Sequence, residues 1–143
     1  MNRLFRRLLL AASLAVAADL ETIRKEPNLE KRSELALANA DTAIDQARTA
    51  YQNGEDAVFK KALGEVSASI DLGKESLDAT GKNARKKPKH FKKAEITIRR
   101  LTRRLDTMRN EVSVDDRPAV EPVVTRAQAL QEEILHAIMG TKK

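Results

Sequence analysis

From residue 28 onward the hydrophobic positions recur at helical spacing, and residues that end helices separate the runs. Leu37, Ala40, Ile44, Ala47 and Tyr51 fall three or four apart, widened by Ala36, Ala43 and Ala50, and Asn53-Gly54 follows as a left-handed stop. This predicts a helix over about 28–53. Phe59, Leu63, Val66, Ile70, Gly73 and Leu77 make a second stripe over about 55–80, opened by Glu55-Asp56, whose charges suit a helix N-terminus, and closed near Gly81. Pro88, read as a first-turn residue, precedes Phe91, Ala94, Ile98, Leu101, Leu105, Met108 and Val112, a third helix over about 88–112. Ser113 to Arg117 reads as a turn with capping side chains, and Val120, Val123, Ala127, Leu130, Ile134 and Ala137 place a fourth helix over about 117–139, with Pro118 and Pro122 assigned to its first turn and Gly140 ending it.

Four segments of similar length, each about 35 to 40 Å long at about 1.5 Å per residue and joined by short connections, match an all-α, up-down-up-down antiparallel four-helix bundle. A three-helix core with a loosely attached helix, or pairing of hairpins between molecules, remains open. Many stripe residues are Ala, so the core is thin, and a homodimer could cover extra apolar surface. Gly73 lies on the stripe of the second helix, where a glycine costs about 1 kcal/mol relative to Ala; close packing on the Ala-rich first helix is the ordinary reason for it.

The first eighteen residues are set apart from this pattern. Arg3, Arg6 and Arg7 precede an apolar run from Leu8 to Ala18 broken only by Ser13, and Ala15-Val16-Ala17 or Val16-Ala17-Ala18 presents small residues where a signal peptidase reads them. The run is too short for the roughly 20 residues a membrane-spanning helix needs. The expectation is a signal peptide over 1–18, cleaved near Ala17 or Ala18, and an exported single four-helix domain over 19–143, periplasmic or extracellular. An uncleaved anchor, an amphipathic helix continuing into the domain and an organelle transit peptide are the alternatives.

The first hairpin, with Ala47 to Tyr51, the Asn53-Gly54 turn, and Ala62 and Gly64 opposite, resembles a single helix pair of the tetratricopeptide type. An array would repeat the pattern at about 34 residues, and nothing after Gly81 does, so no binding residues are carried over from that family. The N-terminal segment together with the basic Gly81 to Lys93 hinge and the Arg-rich helix after it resembles small exported bacterial helical-bundle proteins of unestablished function. That resemblance implies a fold and a compartment but no activity.

Composition narrows the chemistry. The 143 residues include no Cys and no Trp, which removes disulfides, thiolate metal sites and thiol nucleophiles. Net charge is +6, falling to +3 once Arg3, Arg6 and Arg7 are removed. Its distribution matters more than its sum. Lys82, Arg85, Lys86, Lys87, Lys89, Lys92, Lys93, Arg99, Arg100, Arg103 and Arg104 face a single acid, Glu95, within one stretch, whereas the remainder of 19–143 is acidic. With Ile98 facing the core, Lys89, Lys92, Lys93, Arg99, Arg100 and Arg103 point outward, and alternating helix directions bring this basic pole to the end where the first helix starts and the fourth stops, next to Lys142 and Lys143. An anionic surface could be held there at about 1 kcal/mol per basic residue near a membrane. Alternatively, Arg103 and Arg104 pair with neighbouring acids such as Glu132 and Glu133, and the loop lysines only keep the chain soluble.

Catalytic patterns are missing. No nucleophile elbow, phosphate loop or inward carboxylate pair is present, and Glu133 with His136, spaced as metal ligands on one helical face, has no second such pair, so no catalytic residue, cofactor or metal is assigned. His90 reads as a first-turn surface residue. Nucleic acid is disfavoured because Phe91 is the one aromatic in the basic stretch. The expected function is a non-enzymatic, exported helical-bundle protein acting as an envelope interaction or adaptor component through an unknown protein partner. The alternative is a binding module that docks on anionic membrane or polymer surfaces through Lys82 to Arg104, with peripheral membrane contact.

Overall fold

The computed structural model describes residues 20–140, so the expected signal peptide, Lys142 and Lys143 lie outside the described residues. As the spacing implies, the described chain is all-α: α1 (Leu29–Gln52), α2 (Asp56–Ala79), α3 (Lys89–Glu111) and α4 (Arg117–Met139), with a helical turn over 20–24 before α1. The four long helices begin and end within one residue of the breakers read from the sequence. Local chemistry sets these limits. Asn28 caps α1 by accepting from the Lys31 amide at 3.0 Å. At its other end Gly54, at φ +73°, lets the Glu55 amide donate back to the Ala50 carbonyl at 2.9 Å while its own amide donates to Tyr51 at 3.1 Å. Both otherwise orphaned carbonyls are thereby satisfied.

The helices pack as two antiparallel hairpins, α1 with α2 and α3 with α4. The first is the tighter. Asn39 donates to Ser69 at 2.9 Å inside the α1–α2 seam, and a Cβ on Gly73 would lie 2.8 Å from Leu37 Cδ2 and 2.9 Å from its Cγ. Gly73 therefore fits the close approach that its place on the stripe suggested. Between hairpins, α1 lies beside α3 and α2 beside α4; α2 touches α3 only sparsely, and α1 does not reach α4. Ion pairs fix the directions. Glu34, Asp41 and Asp45 of α1 meet Lys93, Arg100 and Arg104 of α3 in the same order, and Asp71 and Lys74 of α2 meet Arg126 and Glu133 of α4 likewise. Neighbours across the two hairpins thus run parallel.

Between the four helices lie Ile44, Phe59, Ile70, Leu77, Ile98, Leu101, Leu105, Val120 and Ile134, all essentially without exposure. Each such side chain stabilises the fold by about 1.5 to 3 kcal/mol. A separate small cluster covers the outer side of the first hairpin, where Leu20 and Ile23 of the N-terminal turn pack on Ala36 and Leu72. Arg32 Nε holds that turn by donating to the Glu26 carbonyl at 2.8 Å. At the α1–α2 turn end, Tyr51 reaches across to the α3–α4 turn: its hydroxyl accepts from the Ser113 amide at 2.8 Å and donates to Asp116 at 3.1 Å. One expectation is corrected. α4 starts at Arg117, so Pro122 is inside the helix rather than in its first turn, and it forgoes a bond to the Pro118 carbonyl on an exposed side where solvent can replace it.

The two interior glycines of α2 separate packing from propensity. Gly73→Ala is expected to destabilise by about 1 kcal/mol, because overpacking against Leu37 outweighs the gain in helix propensity. Gly64→Ala, with no atom within 4 Å of the added Cβ, is expected to stabilise by about 0.5 to 1 kcal/mol. Urea unfolding of both variants checks the opposite signs.

Candidate functional site at the basic end

Four chain segments meet at one end: the start of α1, the end of α2 with the linker 80–88, the start of α3 and the end of α4. Glu30 and Lys82 pair across the first two, and the Arg85 side chain lies over Gly140, where an added Cβ would come within 2.5 Å of its Cδ. Arg85 so places a positive charge at the C-terminal end of α4, the negative end of that helix dipole. The linker is ordered by its own side chains. Asn83 Oδ1 accepts from the Arg85 and Lys86 amides at 3.0 and 3.1 Å, the Asn83 carbonyl accepts from Lys87 at 2.8 Å, and Ala84 is buried in the core. A basic loop is thereby pinned between two helices.

The cations named from the sequence divide into two sets. Lys82, Lys93, Arg99 and Arg100 are engaged: Lys82 with Glu30, Lys93 with Glu34 at 2.9 Å, Arg100 with Asp41 at 2.9 Å, and Arg99 with Glu95 at 3.4 Å. Arg85, Lys86, Lys87, Lys89, Lys92 and Arg103 are exposed and form no ion pair among the described residues. Lys93 and Arg100 are exposed as expected, but each has an ion-pair partner on α1. The partner expected for Arg104 is corrected. That side chain joins Asp41 and Asp45 of α1 instead of Glu132 or Glu133, and Glu133 lies 3.5 Å from Lys74 of α2. Glu95, the single acid of the stretch, is buried, receives Gln131 Nε2 at 3.3 Å and offsets Arg99 alone among these cations.

Electrostatics follow this division. A hydrogen bond and the charge of Lys82 hold the Glu30 carboxyl below the usual carboxylate range. Burial works against the Arg104 charge most strongly, but the bonds to Asp45 and Asp41 together outweigh it and raise its pKa. The first turn of α3 contains no acid, so Lys89 adds to the positive end of that helix dipole instead of offsetting it.

Between α1 and α3 runs a cleft of about 300 Å³, with Glu30, Glu34 and Asp41 on one wall, Lys93 and Arg100 on the other, and Leu37, Leu77 and Ala94 along its floor. Half-buried His90 lines it too, in the first turn of α3 as expected but turned toward this seam. Those five charged groups are all in ion pairs, four of them across the seam, so their charges offset one another along the cleft. Glu133 and His136 are exposed on α4, and among the described residues no group of three or more metal-ligating side chains comes together. The engaged set was missed because charges on α1 and α3 were read separately. Lys93, Arg100 and Arg104 each follow an α1 partner by 59 positions, a repeated offset that marks the parallel pairing in the sequence.

Two expected outcomes test this division. Arg104→Ala should destabilise by about 1 to 2 kcal/mol, whereas Arg103→Ala should change stability by less than about 0.5 kcal/mol, as urea unfolding would report. Glu30, with a lowered folded-state pKa, contributes stability that is complete above the ordinary carboxylate range and lost as pH falls through the lowered value. Carboxyl NMR titration of a Lys82→Ala variant should show the Glu30 midpoint moving up toward its ordinary position. No protein-family model, curated protein or solved structure matches the chain.

Proposed function

We propose that this protein works by docking and not by catalysis: a non-enzymatic, exported helical-bundle component of the cell envelope whose basic end holds anionic partners. One observation carries the reading. Among the described residues Arg85, Lys86, Lys87, Lys89, Lys92 and Arg103 remain without an ion pair although the α1–α3 seam neutralises their neighbours one by one. A surface arranged for solubility alone would interleave the signs over the whole molecule. In this reading the chain is an up-down-up-down four-helix bundle, a description supported by the two antiparallel hairpins, with parallel neighbours between them. Export and cleavage near Ala17 or Ala18 rest on the N-terminal pattern of Arg3, Arg6, Arg7 and the apolar run after them.

An adaptor that binds a protein partner through an apolar helix face is the competing reading, and salt separates the two. Docking by exposed cations weakens steeply as the screening length shortens, while an apolar contact changes little. Isothermal titration of residues 19–143 with long-chain polyphosphate should show binding in 20 mM salt that falls at least about tenfold in 150 mM salt. A Lys86→Glu, Lys87→Glu, Lys92→Glu variant should lose it. Equal affinity of native and variant protein would remove the basic end from the function.

A further inference from the structure

Five large hydrophobic side chains are exposed among the described residues: Leu35, Ile96, Val114, Leu135 and Met139. Three of them share one corner of the molecule. Arg85 lies over Gly140, which brings the basic loop next to Met139 at the end of α4. One turn back along α4 is Leu135, and the Gln131–Glu95 hydrogen bond sets that stretch of α4 beside Ile96 on α3. Ile96, Leu135 and Met139 are 57%, 39% and 63% exposed, too much for core residues at the edge of a seam. On α3 the solvent side reads Lys89, Lys92, Ile96, Arg99 and Arg103 at three-then-four spacing, so Ile96 has cations on both sides along the helix.

We propose that this corner inserts into an anionic lipid bilayer, with Met139, Leu135 and Ile96 entering the headgroup and acyl boundary and Lys86, Lys87, Lys89 and Lys92 meeting lipid phosphates. The inference rests on the docking reading above and adds the kind of anionic surface. A soluble polyanion gains nothing from three protruding apolar side chains, whereas a bilayer interface accepts both the apolar groups and the charges around them. No described helix is long and apolar enough to cross a membrane, so the contact made by this part of the chain is peripheral. Glu132, exposed on α4 three residues before Leu135, is an acid bordering the patch.

The test uses residues 19–143 with vesicles of phosphatidylcholine alone and of phosphatidylcholine with 30% phosphatidylglycerol, and with polyphosphate as the polymer arm. The chain has no Cys, so Met139→Cys carries a single environment-sensitive nitrobenzoxadiazole dye. The expected result is co-sedimentation with the anionic vesicles, a blue shift of the dye, and at least about tenfold weaker vesicle binding by the Ile96→Ser, Leu135→Ser, Met139→Ser variant, with its polyphosphate binding unchanged. These positions are exposed, and circular dichroism would verify that the variant is folded. Vesicle binding without a dye shift, or equal binding by the serine variant, overturns insertion. Binding to polyphosphate but not to vesicles overturns the bilayer and leaves docking standing; binding to neither ends both. A dimer of lipid-free protein in sedimentation velocity, abolished in the serine variant, would assign the patch to a second copy and also overturn the proposal.

Discussion

Alanine has almost no reach, so a helix whose buried side carries Ala36, Ala40, Ala43, Ala47 and Ala50, with Leu37 and Ile44 as its only large apolar residues there, packs well only on a neighbour that comes very close. That constraint governs the molecule. α2 meets it by presenting Gly73 to Leu37 and Ser69 to Asn39, which makes the first hairpin the most extensive contact in the structure. The larger residues of the second hairpin, Phe91, Leu101, Leu105 and Met108 among them, then fill the space that two closely approaching helices leave uncovered. A thin helix on one side and a bulky one on the other give a continuous core from a sequence with four aromatic residues.

The seam between α1 and α3 adds direction to that packing. Parallel helices keep matched residues at a constant separation along the chain, whereas antiparallel helices pair a rising number with a falling one. Glu34, Asp41 and Asp45 meet residues 59 positions later, and Asp41 also meets Arg104 one turn further on, so the pairs run in parallel along α1 and α3. Most of these groups are at least one-third exposed, and individually they contribute about 0 to 1 kcal/mol. Their effect is on register more than on total stability. Arg104 is the exception, since it bridges two carboxylates from a half-buried position.

Much of this was legible in the residues because helix limits are local. Asn28, the Asn53-Gly54 pair, Gly81 and Gly140 act within one turn of themselves, and the three-then-four stripes report burial without reference to any partner. The segregation of positive charge was legible too. Which cations are consumed was not, because that depends on which helices become neighbours, and the stripes of α1 and α3 do not say whether the two lie side by side or diagonally. Placing Arg104 against Glu132 and Glu133 fails on register: the second hairpin sets Glu95 beside Gln131 and Arg109 beside Glu121, so Arg104 lies further along α3 than either glutamate reaches. The outer cluster of Leu20 and Ile23 escaped for a different reason: two residues three apart are too short a run to show a period.

The linker between the hairpins bears on how readily anything binds there. Its backbone is tied by Asn83 and anchored by Ala84, so the loop lysines extend from a chain segment whose conformational freedom was already given up in folding. A flexible lysine-rich tail would have to surrender that entropy at the moment of contact, at about 1 to 2 kcal/mol for each backbone residue ordered. Here only the side chains remain to be ordered, and a modest number of charges can therefore hold a partner in one orientation.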